Sequence, residues 1–160
     1  MSPSVSPSVS PSVSISPSVS PSLSPGWEQY TKGDVAGLPA DDTNLENTYS
    51  VQDYLDVDTK NDVRVDQTAT GEYAIHQFKD YIGEATAVGL EWEGQTDQAP
   101  TASTVYLQVY NQNSTTWENI DSDDASDADT DFTLEGNIAD TTNYKDGGNI
   151  VSCRVYQEGI

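Results

Sequence analysis

The sequence predicts an all-β protein: a β-sandwich, jelly-roll-like in layout, behind an extended N-terminal Ser/Pro arm. Three observations predict it. Short stretches of alternating apolar and polar residues recur from Trp27 to Tyr156. Polar turns rich in Gly, Asn and Asp separate them. No stretch combines helical periodicity with caps at its ends.

The arm comes first. Residues 2–25 carry no charge, every even position is Ser, and every odd position is Pro or aliphatic. Pro3, Pro7, Pro11, Pro17, Pro21 and Pro25 alternate irregularly with Val5, Val9, Val13, Ile15, Val19 and Leu23. Proline fixes φ and lacks an N–H, which excludes a helix. A polyproline II spacer of about 3.1 Å per residue is the first expectation. The parity allows a second. In an extended strand all prolines face one edge, so the serines keep an unbroken row of donors along the other. Such an arm can dock as an edge strand on a neighbouring copy, its aliphatic residues sharing one face.

The module occupies residues 26–160. Tyr49–Leu55 alternates imperfectly and is expected as a strand, with Asp62–Val65 as a short extended piece. Glu72–Phe78 and Ala87–Glu93 follow as strands. The clearest alternation is Ser103–Tyr110, with Val105, Leu107 and Val109 on one face and Tyr106, Gln108 and Tyr110 on the other. Phe132, Leu134 and Ile138 mark another strand, and in Asn149–Tyr156 the residues Val151, Cys153 and Val155 point inward. Seven or eight short strands in one domain's length favour a sandwich. The three Trp, two Phe and nine Tyr all lie in the module, a supply of core residues that a disordered acidic tail lacks.

Charge bounds the partners. The net charge of −21 argues against nucleic acid, which needs Lys and Arg against its phosphates, and against insertion into or adhesion to anionic membranes. No segment approaches a transmembrane span and no charged-then-apolar signal opens the chain. A single cysteine makes no internal disulfide.

Tyr106-Leu107-Gln108-Val109-Tyr110-Asn111 followed by Trp117-Glu118 resembles the hairpin of galactose-binding-like, carbohydrate-binding jelly rolls. In those modules a strand leads through an Asn/Ser/Thr turn into a second strand opened by Trp. The whole layout is similar to environmental and phage-like surface proteins. It pairs Ser/Pro repeats and Gly26-Trp27 with a final Val151-Ser152-Cys153-Arg154-Val155-Tyr156-Gln157. The resemblance implies an extracellular, cell-surface or virion-associated setting and carries no catalytic residue across.

Residue by residue, chemistry is sparse. His76 is the only histidine and Cys153 the only cysteine, so neither a Ser-His-Asp nor a Cys-His site is available. Zinc lacks its four ligands. His76 reads as a strand residue with a local hydrogen bond, Cys153 as core. Calcium is the one cofactor left open. Asp121, Asp123, Asp127, Asp129 and Asp131 alternate along one run, although its sixth and twelfth positions, Ser126 and Phe132, are not those of an EF-hand. A looser set is Asp34 with Asp41 and Asp42. Paired carboxylates fall together by chance in so acidic a chain and point to no hydrolase.

The most specific candidate is a platform. If the strands of Ser103–Tyr110 and Asn149–Tyr156 are neighbours, Tyr106, Gln108, Tyr110, Arg154 and Tyr156 share a flat patch. Sugar rings stack on aromatic faces while polar groups take their hydroxyls. The expected function is a non-catalytic module binding a glycan or surface ligand. The alternative is a structural subunit of a virion or appendage, its arm docked on neighbouring copies. Asn113-Ser114-Thr115 also matches a glycosylation sequon.

Overall fold

The structure is a computed structural model and describes residues 28–59, 62–69 and 72–160. The Ser/Pro arm, and with it both expectations for residues 1–25, lies outside the described residues. The module is a β-sandwich of two antiparallel sheets.

The described residues form eight strands: β1 (Glu28–Val35), β2 (Asn47–Thr48), β3 (Tyr73–Tyr81), β4 (Val88–Gly94), β5 (Val105–Asn111), β6 (Thr116–Asp123), β7 (Phe132–Ile138) and β8 (Ile150–Glu158). The larger sheet has the order β2-β1-β3-β8-β5-β6 and the smaller is the pair β4-β7. The expected stripe of β5 is realised: Val105, Leu107 and Val109 are all buried, as are Val151, Cys153 and Val155 of β8. The two stripes meet in register, Leu107 opposite Val155 and Val109 opposite Cys153. Phe78 and Tyr30 extend them across β3 and β1, and Val88, Leu90, Trp92, Phe132, Leu134 and Ile138 answer from the smaller sheet. Alternation predicts this core because successive strand residues face opposite sides.

One expected strand is not a strand. Tyr49–Leu55 turns into the helix α1 (Val51–Val57). Ser50 Oγ accepts the Asp53 N–H and the Asp53 carboxylate accepts the Ser50 N–H, closing a capping box. That Ser-x-x-Asp signal outweighs an alternation that was already imperfect. Tyr54 and Val57 then pack on the core. Residues 62–65 join no ladder: Asp62 sits in a bend with φ 60°, and only Val65 of the four is buried. Tyr49, Tyr54, Val57 and Val65 supplement the two-stranded layer beneath the six-stranded one.

β5 and β6 form a hairpin, with Tyr110 opposite Trp117 and Asn111 opposite Thr116. Asn111 Oδ1 accepts the N–H groups of Asn113 and Ser114, an Asx-type closure of the turn. Further along, Leu107 faces Asp121 whereas Gln108 faces Asn119. Ile120 is thus the extra residue of a β-bulge. It lies against Gly136 of β7 so closely that a Cβ there would sit 2.2 Å from Ile120 Cγ2. The bulge thereby fastens the edge of the larger sheet to the smaller one. Gly136→Ala should destabilise the fold by about 1–3 kcal/mol, the usual cost of overpacking. In denaturant unfolding, Ile120→Ala combined with it should cost less than the two single changes together.

Candidate functional site

β5 and β8 are neighbours, and the register places Tyr106 opposite Tyr156 and Gln108 opposite Arg154 on the outer face of the larger sheet. The five predicted platform residues therefore do come together, but not as one open patch.

β8 is a central strand, and its residues 151–157 are all buried. The outer face of a sheet in a two-layer sandwich normally meets water. Here a segment between β1 and β2 lies across it as a strap. The Pro39 carbonyl accepts from Arg154 Nη1 at 2.8 Å, and the Asp41 carbonyl from Trp117 Nε1 at 3.1 Å. The Asp42 and Thr43 carbonyls share Gln77 Nε2 at 2.8 and 3.2 Å. The Asp42 carboxylate accepts Ser152 Oγ at 2.6 Å and Gln112 Nε2 at 3.3 Å. Leu45 N–H reaches Thr31 Oγ1 at 3.1 Å. The strap leaves β1, extends as far as β6, and returns over β8 and β3.

Arg154 sits beneath it, 4% exposed. Its Nε donates to Gln108 Oε1 at 2.8 Å, and Gln108 Nε2 in turn donates to Asn119 Oδ1 at 2.6 Å. The guanidinium carbon lies 4.2 Å from the Trp117 ring centre and 5.4 Å from that of Tyr156. A cation over an aromatic ring gains about 0.5–2 kcal/mol per contact. Burial lowers the Arg154 pKa to about 10, so the charge persists at neutral pH. Tyr110 is buried too, edge-on to Trp117 with centroids 5.1 Å apart. Gln108, Tyr110 and Arg154 thus belong to the strapped part of the face.

The other end is different. Tyr106 stacks on Tyr156 at 5.2 Å, and Tyr73 of β3 meets Tyr156 edge-on at 6.0 Å. Tyr156 is nearly buried between two half-buried neighbours. Among the described residues no strap hydrogen bond reaches these three tyrosines. They form an aromatic ladder across β3, β8 and β5. Tyr73 and Trp117 were missed as site residues from sequence. Tyr73 had the right parity, opposite to that of His76, but its strand order was unknown.

The acidic run is spread out. Asp121 uses one carboxylate oxygen on Ser122 N–H and the other on Glu135 N–H, both at 2.9 Å. Burial pushes the Asp123 pKa up, but hydrogen bonds from the Ser126 and Ala125 backbones and the Ser126 hydroxyl hold it below the usual value. Asp131 pairs with Arg64, whereas Asp127 and Asp129 are exposed. Among the described residues no group of three or more His, Cys, Asp or Glu is placed to hold a metal ion. Asp41 caps its own turn through Thr43 N–H at 3.0 Å, and Asp42 is a strap anchor.

His76 and Cys153 face the core. The His76 Nδ1 lies 2.5 Å from the Tyr49 hydroxyl, a contact made from a distant part of the chain rather than locally. Its Nε2 is buried without a partner. Burial, with a smaller contribution from Lys32, lowers the His76 pKa to about 3. The Cys153 thiol is pushed well up by burial and by Asp80. Neither is available to an external substrate.

No family model matches the chain, and neither the curated proteins nor the solved structures give a match.

The His76 shift has a sign that can be checked. Unfolded histidine binds a proton near pH 6.5 whereas the folded one remains neutral to about pH 3. The stability is therefore complete above pH 6.5 and falls as the pH drops towards 3. The slope is on the order of 1 kcal/mol per pH unit. Between pH 7 and 5, above most carboxylate titration, His76→Gln should flatten this slope in urea unfolding, despite being less stable at pH 7.

Proposed function

We propose that this protein is a non-catalytic binding module whose ligand rests on the tyrosine ladder of the larger sheet. The observation that carries this reading is the contact of Tyr73, Tyr156 and Tyr106 across three adjacent strands, beside a buried and fully oriented Arg154. Rigid aromatic groups lose little conformational freedom on binding, and strands hold them more firmly than loops do. Sugar rings suit such a surface because their C–H faces stack on aromatic rings, with tyrosine hydroxyls as hydrogen-bond partners. The withdrawal of the only histidine and cysteine into the core supports a binding role over a catalytic one.

Uncharged glycans are the preferred ligand class. A polyanionic glycan would approach a molecule of net charge −21 against its field. The reading places the module outside the cell or on a virion, displayed on its Ser/Pro arm. The alternative role, a structural subunit of a virion or appendage, rests on the proline parity of the arm.

A glycan array probed with the full chain should give binding to neutral glycans. Tyr106→Ala and Tyr73→Ala should each weaken it by about tenfold, as expected for an aromatic contact of 0.5–1.5 kcal/mol plus lost area. Tyr81→Ala, an exposed tyrosine away from the ladder, should leave it unchanged. A blank array, or equal binding by all three variants, removes the ladder as the site.

A further inference from the structure

The sandwich carries an exposed apolar feature that the binding face does not use. Val51 is 80% exposed and Leu55 59%. They stand four residues apart on α1, so they share one side of the helix. The same helix turns Tyr54 and Val57 towards the core. A seven-residue helix gains little from propensity alone and depends on packing, yet half of its apolar residues face outward.

We propose that Val51 and Leu55 are the seat for the aliphatic side of this chain's own Ser/Pro arm, with Leu23 and Val19 as its nearest residues. The proposal is independent of the glycan reading and concerns a different surface.

Its first support is where the arm ends. The chain outside the described structure runs directly into β1 at Glu28. Two residues on, Tyr30 donates its backbone N–H to the Tyr54 hydroxyl of α1 at 2.8 Å, and the two rings lie 5.2 Å apart. The helix therefore flanks the point from which the arm departs. The second support is Pro25-Gly26, a turn-forming pair at that junction, which suits a reversal of the chain back over α1.

Chemistry supplies the third support. In extended conformation the arm gathers Val, Ile, Leu and Pro on one side and Ser on the other. It is uncharged from residue 2 to residue 25, whereas α1 carries Asp53 and Asp56. An acidic segment would be repelled there; a neutral one is not. At about 3.1 Å per residue, Leu23 and Val19 are within ~30 Å of the start of β1, a range that spans the short helix. Tethering gives the chain's own arm an effective concentration that a separate copy reaches only at high protein concentration.

The test uses the full chain, isotopically labelled, with a nitroxide on Ser18→Cys. Cys153 is buried and stays unlabelled. Amide signals of residues 50–57 should be strongly broadened relative to those of β5. Val51→Ser with Leu55→Ser should remove most of that broadening, and both positions are exposed enough to leave the fold intact. Mixing an isotopically labelled chain without nitroxide with nitroxide-bearing, unlabelled copies should broaden nothing. Broadening that is absent, or unchanged by the double substitution, overturns the proposal. Broadening found only in the mixed sample also overturns it, and assigns the seat to a neighbour's arm, as the assembly alternative requires.

Discussion

A cation in the middle of a central strand is the constraint around which this sandwich is arranged. Arg154 cannot leave the sheet, because Val151, Cys153 and Val155 on the same strand hold the core. Its guanidinium must then be satisfied where it stands, since a buried charge without partners costs several kcal/mol. Gln108 supplies one acceptor and the Pro39 carbonyl another, while the Trp117 and Tyr156 rings lie close to the charge. Each of these partners comes from a different element. Satisfying one side chain thereby draws β5, β6 and the segment after β1 onto the outer face of β8.

The strap extends the same logic. Gln77 and Ser152 are polar residues on central strands, and both are about 1% exposed. They are tolerable there because the Asp42 and Thr43 carbonyls and the Asp42 carboxylate meet them. The central strands β3, β8 and β5 are consequently buried on both sides along most of their length. Past the last of the strap's hydrogen bonds Tyr73 and Tyr106 remain half-buried, so the same element that buries Arg154 also bounds the tyrosine ladder. The smaller layer has a different economy of means: two strands suffice because α1 and the stretch around Val65 fill the remaining width.

Much of this was legible and some of it was not, for reasons that differ by residue. The alternation of β5 and β8 identified both the core stripe and its reverse, since strand parity is a purely local property. The same reasoning failed at Tyr49–Leu55, where the capping box of Ser50 and Asp53 decided for a helix. The Asp-rich run left calcium open; in the structure Asp121 and Asp123 are engaged by backbone N–H groups and Asp131 by Arg64. Those partners lie 14 and 67 residues away for Glu135 and Arg64, and spacing along the run carries no trace of them. His76 illustrates the same limit. Its partner Tyr49 is 27 residues distant and is held in place by its backbone N–H on the Tyr30 carbonyl, on the strand beside β3.

By itself the sequence determined the all-β class, the inward stripes of the main strands, and the acidity of the chain. These follow from local periodicity and composition, which need no knowledge of neighbours. Tertiary structure alone decided which strands are adjacent, and hence that Tyr106 faces Tyr156 and that Tyr73 joins them. It also decided that Arg154 is strapped down rather than displayed. The physical reason is that strand order and the path of a loop are set by long-range hydrogen bonds and shared burial. A buried guanidinium finds its acceptors wherever the fold brings a carbonyl within reach, and Pro39 lies 115 residues from Arg154.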